Sequence, residues 1–335
     1  MEVTITTTDL SYWLNWRVLL CAVSVLASMF LASFIIWKYD GWKRAEHNQG
    51  GAPDRALFLR HDEAWKTCLK QIHPGWLTAF RIISFSLLLT TLTVKLIEHG
   101  GHMFFFYTQW TLTLVTVYFG FGSLLSIYGC YQHQKCRNCV EVDNVEIDEE
   151  DGSNSYRPLP GQRTTDKCGI KEFSDPQEQK CVLQAAGIFS HLFEVIFQMS
   201  AGAVMLTDCV YWFIIFPFLT IRDYTLSFMT VNVHTLNFAL LLGDTALNCL
   251  QVPWYRISYF ILWTSAFVIF QWVLHACFSV WWPYPFLDLS SPYSPLWYFL
   301  MGLMHIPCYS IFMLLVQTKQ SLYSRFFPDS YMCGR

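Results

Sequence analysis

Two ionisable side chains, His234 and Asp244, stand inside one stretch long and apolar enough to cross a bilayer, FMTVNVHTLNFALLLGDTALNC from 228 to 249. At membrane depth such groups are costly unless they face protein or trapped water, so each is a functional candidate by default. A neutral imidazole is a base, which a Thr hydroxyl, a poor nucleophile alone, needs within hydrogen-bond reach. A second apolar run, beginning FFFYTQWTLTLVT at 104, supplies that hydroxyl in Thr108, with Gln109 beside it. Thr108 and His234 are therefore the candidate catalytic pair. Asp208 is the acid available to hold the imidazole tautomer, and Gln109, Asn232 or backbone N–H groups are available to an oxyanion.

Depth along each helix sorts these residues into layers. At 1.5 Å of rise per residue, Thr108 lies about 6 Å below the outer end of its helix and His234 about 9 Å below the outer end of its own. His275 falls at a similar depth, and Asp208 and His305 about 5 Å deeper. Arg81 and Asp244 each come out about 8 Å from the cytoplasmic boundary, with Glu194 nearby, which predicts a structural ion pair between Arg81 and Asp244. Asp244 cannot orient His234, because ten residues along one helix is about 15 Å and a different face. For the outer layer, the residues alone are most simply read as an interhelical hydrogen bond, with a nucleophilic dyad as the competing reading.

The elements that must position these residues are transmembrane helices. Of 335 residues, 53% are apolar, 18% aromatic and only 14% charged, a polytopic membrane composition. Apolar runs of roughly 20 residues, the length that spans hydrocarbon, begin at Val18, Trp76, Phe104, Phe189, Phe228, Tyr255 and Leu296. The expected fold is all-α with seven transmembrane helices. The first is read as a retained anchor, since Glu2 and Asp9 precede it with a single Arg17 and its apolar run exceeds a signal-peptide core. With the N-terminus outside and the C-terminus cytoplasmic, the inner segments hold 18 of the 22 Lys and Arg residues, which is the positive-inside distribution. The expected division is 1–37 N-terminal segment and anchor, 38–75 cytoplasmic loop, 76–129 helices two and three, 130–182 acidic loop, 183–318 helices four to seven and 319–335 tail. Gly120 and Gly122 in the third helix permit close packing.

The second half of the first loop reads equally as a surface loop or as a short amphipathic helix with Leu57, Phe58, Trp65 and Leu69 on one side. The 130–182 loop carries seven acids between Glu141 and Asp151 and few apolar residues, so it is expected to be largely disordered and open to protein partners. At its start Cys130, His133, Cys136 and Cys139 are spaced by threes. A reduced juxtamembrane stretch is the preferred reading and a zinc clip the other, since the second ligand pair of a common zinc site is missing. The twelve cysteines suggest no disulfide framework, while leaving room for a single bridge. No nucleotide-binding, metalloprotease or nucleophile-elbow motif occurs, and the chemistry outlined above calls for no cofactor or metal. Nothing points to nucleic acid; the candidate small partner is a membrane lipid, in the plasma membrane or an endomembrane.

The segments VNVHTLNFALLLGD, WWPYPFLDL and FYTQW resemble the androgen-induced-gene proteins and the related rolling stone proteins, most closely the rolling-stone-like branch. The resemblance covers about 240 residues and implies a six-helix core, helices two to seven here, preceded by one extra N-terminal helix. In the androgen-induced branch it implies an intramembrane threonine hydrolase that cleaves fatty acid esters of hydroxy fatty acids, with the catalytic Thr at Thr108, the catalytic His at His234 and the following acid at Asp244. Rolling stone proteins are instead associated with myoblast fusion. The competing expectation is accordingly a non-enzymatic membrane protein acting in adhesion or fusion, signalling or transport.

Overall fold

The computed structural model describes residues 7–41, 64–147, 176–219 and 228–333, with side chains described except at 41, 136–147, 176–186, 218–219 and 228–233. Among these residues seven long helices follow one another: α1 (Trp16–Ile35), α2 (Pro74–His99), α3 (Tyr107–Ile147), α4 (Pro176–Val210), α5 (Phe228–Leu247), α6 (Ile257–Cys277) and α7 (Ser294–Phe326). Six helical segments, 16–40, 74–105, 107–135, 187–215, 254–277 and 294–326, are long and apolar enough to cross a membrane. The chain is an all-α integral membrane protein of the multi-pass kind. Extended pairing among the described residues is limited to two isolated bridges, Thr67 with Asn248 and Leu69 with Tyr331.

Local chemistry sets the helix ends. Asn15 caps α1 by accepting from the Arg17 N–H. At α2 the His73 side chain accepts from the Gly75 N–H and Pro74 occupies the first turn, where its missing N–H costs nothing. That helix stops at Gly100, whose positive φ of 57° suits a residue without Cβ and whose N–H returns to the Leu96 carbonyl. Helix α3 runs past the expected boundary at 129 to Ile147, because no Gly or Pro interrupts the chain before Gly152 and Gln, Lys, Arg and Glu are good helix formers. Helix α4 begins at Pro176, ahead of the expected 183. The remainder of the acidic loop, 148–175, lies outside the described residues, as does the stretch of the first loop containing Leu57 and Phe58.

Wide π turns extend two helices. Ile36–Gly41 continues α1, and Tyr211–Ile215 continues α4 just before Pro217. Proline has no N–H and its ring crowds the carbonyl four residues earlier, and a widened turn absorbs that misfit.

Consecutive helices run antiparallel, so the contacts gather at two ends. At one end, called outer here after the orientation expected from the charge distribution, the Tyr12 hydroxyl donates to Asp288 at 3.3 Å, Arg17 donates to the Ser290 carbonyl at 2.9 Å and Gln271 donates to the Phe105 carbonyl at 2.8 Å. The α6–α7 loop thus ties down the chain around the start of α1, and α6 itself holds the α2–α3 connection. At the inner end Asp40, Arg81, Glu194, Asp244, Arg256 and Lys319 supply the polar contacts. Between the ends, small residues bring the helices close. A Cβ at Gly120 would sit 2.9 Å from the Phe85 ring of α2, and one at Gly122 would sit 2.9 Å from the Phe193 ring of α4.

Gly122→Val should therefore push α3 off α4 and cost about 1–3 kcal/mol, the usual range for overpacking. A fall in the unfolding midpoint of the detergent-solubilised protein checks this, and an unchanged midpoint would show that the Phe193 ring moves aside freely.

Candidate functional site

The inner layer is a closed polar network. Arg81 is fully buried, and its Nε donates to Asp244 Oδ1 at 2.8 Å. Its Nη1 donates to the Ala64 carbonyl at 2.8 Å and to Ser126 Oγ at 2.7 Å. The Asp244 carboxylate also accepts from the Tyr118 hydroxyl and from Asn248 Nδ2. The guanidinium lies over the Phe193 ring, 5.0 Å from its centroid. Four parts of the chain, α2, α3, α5 and the segment at 64, therefore meet on one pair of charges. Every charged atom of the pair is hydrogen-bonded or stacked, as burial requires.

Glu194, expected beside this pair, is elsewhere. It accepts from Arg256 Nη1 at 2.8 Å. Depth along the helix places Glu194 at the right level, but its direction around α4 points it toward α6. Arg256, which charge counting leaves at a loop boundary, is itself only 2% exposed. It also donates to Gln198 at 3.0 Å and lies 3.7 Å from Asp40. Asp40 in turn accepts from the Tyr259 hydroxyl at 2.6 Å and lies 3.2 Å from His191 Nε2. This second cluster fastens the first helix to α4 and α6. The sequence signal that locates it is His191, Glu194 and Gln198 on one face of α4, with Asp40 and Arg256 at the inner ends of α1 and α6.

The outer residues are divided among three places. His234 is buried, stacks on Tyr211 with ring centroids 3.7 Å apart and nearly parallel, and holds its Nδ1 4.0 Å from Asp208 Oδ1. That separation is too long for a hydrogen bond, and Nδ1 has no other partner. The π turn at Tyr211 presents the ring that faces the imidazole. Asp208 follows Thr207, whose hydroxyl meets Thr111 of α3 at 3.0 Å. Helices α3, α4 and α5 are thereby joined at this level.

Thr108 lies at the outer start of α3 and is half-buried. Beside it, the Tyr107 N–H donates to the Tyr284 hydroxyl at 3.1 Å. Burial pushes the Tyr284 hydroxyl above its ordinary value, against the lowering effect of that bond, so Tyr284 keeps its proton. No hydrogen bond joins Thr108 to His234 among the described residues. Gln109 Oε1 is buried without a partner in the same first turn.

His275, expected in the same layer, belongs to the outer loop instead. Its Nδ1 bonds to the Gln271 carbonyl at 2.7 Å and its ring stacks on Trp282 at 3.6 Å. A carbonyl only accepts, so Nδ1 carries the proton and Nε2 is the free lone pair. His305 follows the same pattern, bonding to the Met301 carbonyl at 2.9 Å and packing on Phe260. Matching depth does not put side chains on facing surfaces, which is why the three outer residues separate. The side chain of Asn232 lies outside the described residues.

Among the described residues no three His, Cys, Asp or Glu side chains are placed to hold a metal ion. Cys130 contacts Thr78 and His133 packs on Trp65, while the side chains of Cys136 and Cys139 lie outside the described residues. No family model, curated protein or solved structure matches the chain.

Arg81→Met strands the Asp244 carboxylate in the interior and should cost about 3–5 kcal/mol, whereas Arg81→Met with Asp244→Leu should lose less than the sum of the two single changes. Unfolding midpoints of the four proteins form the cycle. Strictly additive losses would mean that the two charges do not act as a pair.

Proposed function

We propose that the chain crosses the membrane seven times, N-terminus outside and C-terminus in the cytoplasm, and that it hydrolyses long-chain fatty acyl esters within the bilayer. Helix α5, with 20 residues and about 30 Å of rise, is the seventh crossing. The antiparallel alternation of the helices and the concentration of Lys and Arg at one end support this arrangement. The observation that carries the chemical reading is His234 itself, a buried imidazole facing a carboxylate across 4.0 Å and braced by Tyr211 in the outer half of a membrane helix.

In this reaction His234 takes the Thr108 proton as the Thr oxygen attacks the ester carbonyl. The alcohol leaves with that proton, and water then releases the fatty acid from the acyl-Thr. Asp208 orients the imidazole, and Gln109 and the Tyr284 hydroxyl stand where an oxyanion near Thr108 would find donors. The Thr108 hydroxyl must come within reach of His234 when substrate enters; catalytic contacts commonly tighten only in the substrate complex. The aromatic and aliphatic surroundings suit a long acyl chain entering from the lipid, such as a fatty acid ester of a hydroxy fatty acid. The resemblance to the androgen-induced-gene and rolling stone proteins, carried by the motifs around Thr108 and His234, points the same way.

A second reading has its own observation. The α6–α7 loop already holds the first turn of α3 around Thr108 through the Tyr107 N–H donating to the Tyr284 hydroxyl, and no hydrogen bond joins Thr108 to His234 among the described residues. On that reading the protein is a non-enzymatic partner in adhesion, fusion, signalling or transport, with the acidic segment as its cytoplasmic contact.

Labelling of membranes with a fluorophosphonate probe separates the two. The hydrolase reading expects wild type to label and Thr108→Ala and His234→Ala to lose labelling at least tenfold at equal expression. An unlabelled wild type beside a labelled androgen-induced hydrolase would leave the non-enzymatic reading standing. For the orientation, protease added to sealed microsomes should remove a C-terminal epitope and spare an N-terminal one.

A further inference from the structure

The tail beyond α7 folds back onto the inner end of the bundle. Residues 67–70 are sandwiched there between the end of α5 and the tail. The Cys68 N–H donates to the Leu247 carbonyl at 2.9 Å, the Met332 N–H to the Cys68 carbonyl at 3.0 Å and the Lys70 N–H to the Ser330 carbonyl at 2.8 Å. Lys319 donates to the carbonyls of Thr245 and Asn248 at 2.9 and 2.7 Å, which places a cation at the C-terminus of α5, where the helix dipole favours it. A disulfide between Cys249 and Cys333 closes this arrangement across 84 positions of sequence. Leu69, Tyr323 and Tyr331 pack around it together with Cys68.

All of this lies at the end of the bundle that carries most of the Lys and Arg residues, the cytoplasmic end in the orientation proposed above. In a reducing compartment a disulfide does not persist as a passive staple; those that form there are transient and serve sensing or catalysis. We propose that Cys249 and Cys333 are a reversible thiol–disulfide clasp that fastens the C-terminal tail to the inner end of α5. Oxidation needs a small disulfide of the glutathione class. The Cys249 thiolate attacks one of its sulfurs and releases one thiol. The Cys333 thiolate then attacks the Cys249 sulfur of the mixed disulfide and releases the second. The two cysteines give up two protons and two electrons, and the small disulfide becomes two thiols; reduction runs the same exchanges backward.

Cys68 is the neighbouring thiol that such a site must keep out of the exchange. It is fully buried, its Sγ donates to the Ala246 carbonyl at 3.2 Å, and burial holds its thiol above the ordinary value despite Lys319 nearby. Cys68 is thus engaged with the Ala246 carbonyl and remains a free thiol, while Cys249 and Cys333 are the pair within bonding distance. Opening the bond leaves the tail held by its main-chain contacts to 68–70 and by packing.

The test uses the full-length protein with a C-terminal epitope, in cells treated with a thiol oxidant, washed, or left untreated. Free thiols are blocked with N-ethylmaleimide, disulfides are reduced, and the released thiols are tagged with a maleimide polymer. The clasp predicts that oxidant raises the doubly tagged fraction at least fivefold, that washing reverses it, and that Cys249→Ser and Cys333→Ser each abolish it while Cys68→Ser does not. In sealed microsomes, added protease should remove the epitope, which places the clasp on the reducing side of the membrane. A tagged fraction that never changes, whether at zero or at completion, overturns the clasp. An epitope that is protected from protease overturns it differently, by showing the opposite orientation and hence a permanent lumenal bridge.

Discussion

Charge removed from water must find its partners inside the fold, and the Arg81–Asp244 pair is where this constraint binds the structure together. A guanidinium and a carboxylate in the hydrocarbon layer are tolerated only with their hydrogen-bonding capacity met. Meeting it takes Tyr118 and Ser126 from α3, Asn248 from the end of α5 and a carbonyl from the segment at 64. Those demands fix the relative height and rotation of α2, α3 and α5. Because Asn248 is also the residue that pairs with Thr67, the same network settles where the inner connection and the tail come to rest.

The Arg256 cluster applies the constraint a second time. Asp40, His191, Glu194, Gln198 and Tyr259 surround one guanidinium, and the first helix is held to α4 and α6 through its terminal π turn. Lipid offers no hydrophobic drive for helices to associate, so polar contacts and close packing at small residues such as Gly122 take over that role. The charges of the inner half are consequently committed to structure.

The outer half carries no buried ion pair of that kind among the described residues, but it holds the candidate histidines. His234 Nδ1, Gln109 Oε1, His275 Nε2 and His305 Nε2 are buried without hydrogen-bond partners. Unmet hydrogen-bonding capacity is costly, and proteins keep it where a ligand or a moving proton will use it. His234 Nδ1 is the lone pair left uncommitted beside a carboxylate, whereas Arg81 and Asp244 are committed to each other. The π turn that accommodates Pro217 also aims Tyr211 at the imidazole, so one local irregularity of α4 both follows from the sequence and shapes the site.

The residues alone determine that the chain is helical and membrane-embedded, roughly where its apolar segments begin and end, and how deep each polar side chain lies. Hydropathy and a constant rise per residue carry that information. Depth was enough for Arg81 and Asp244, since two opposite charges at one level in lipid have strong reason to meet. It was not enough for Glu194, which faces Arg256, or for His275, which faces Trp282. Tyr107 and Tyr284 meet because a loop returns to the start of α3, and Cys249 and Cys333 meet because the tail folds back; neither return leaves a periodic trace. Rotation about the helix axis, choice of neighbour and the paths of connecting segments depend on packing the whole bundle at once, and those only the tertiary structure decides.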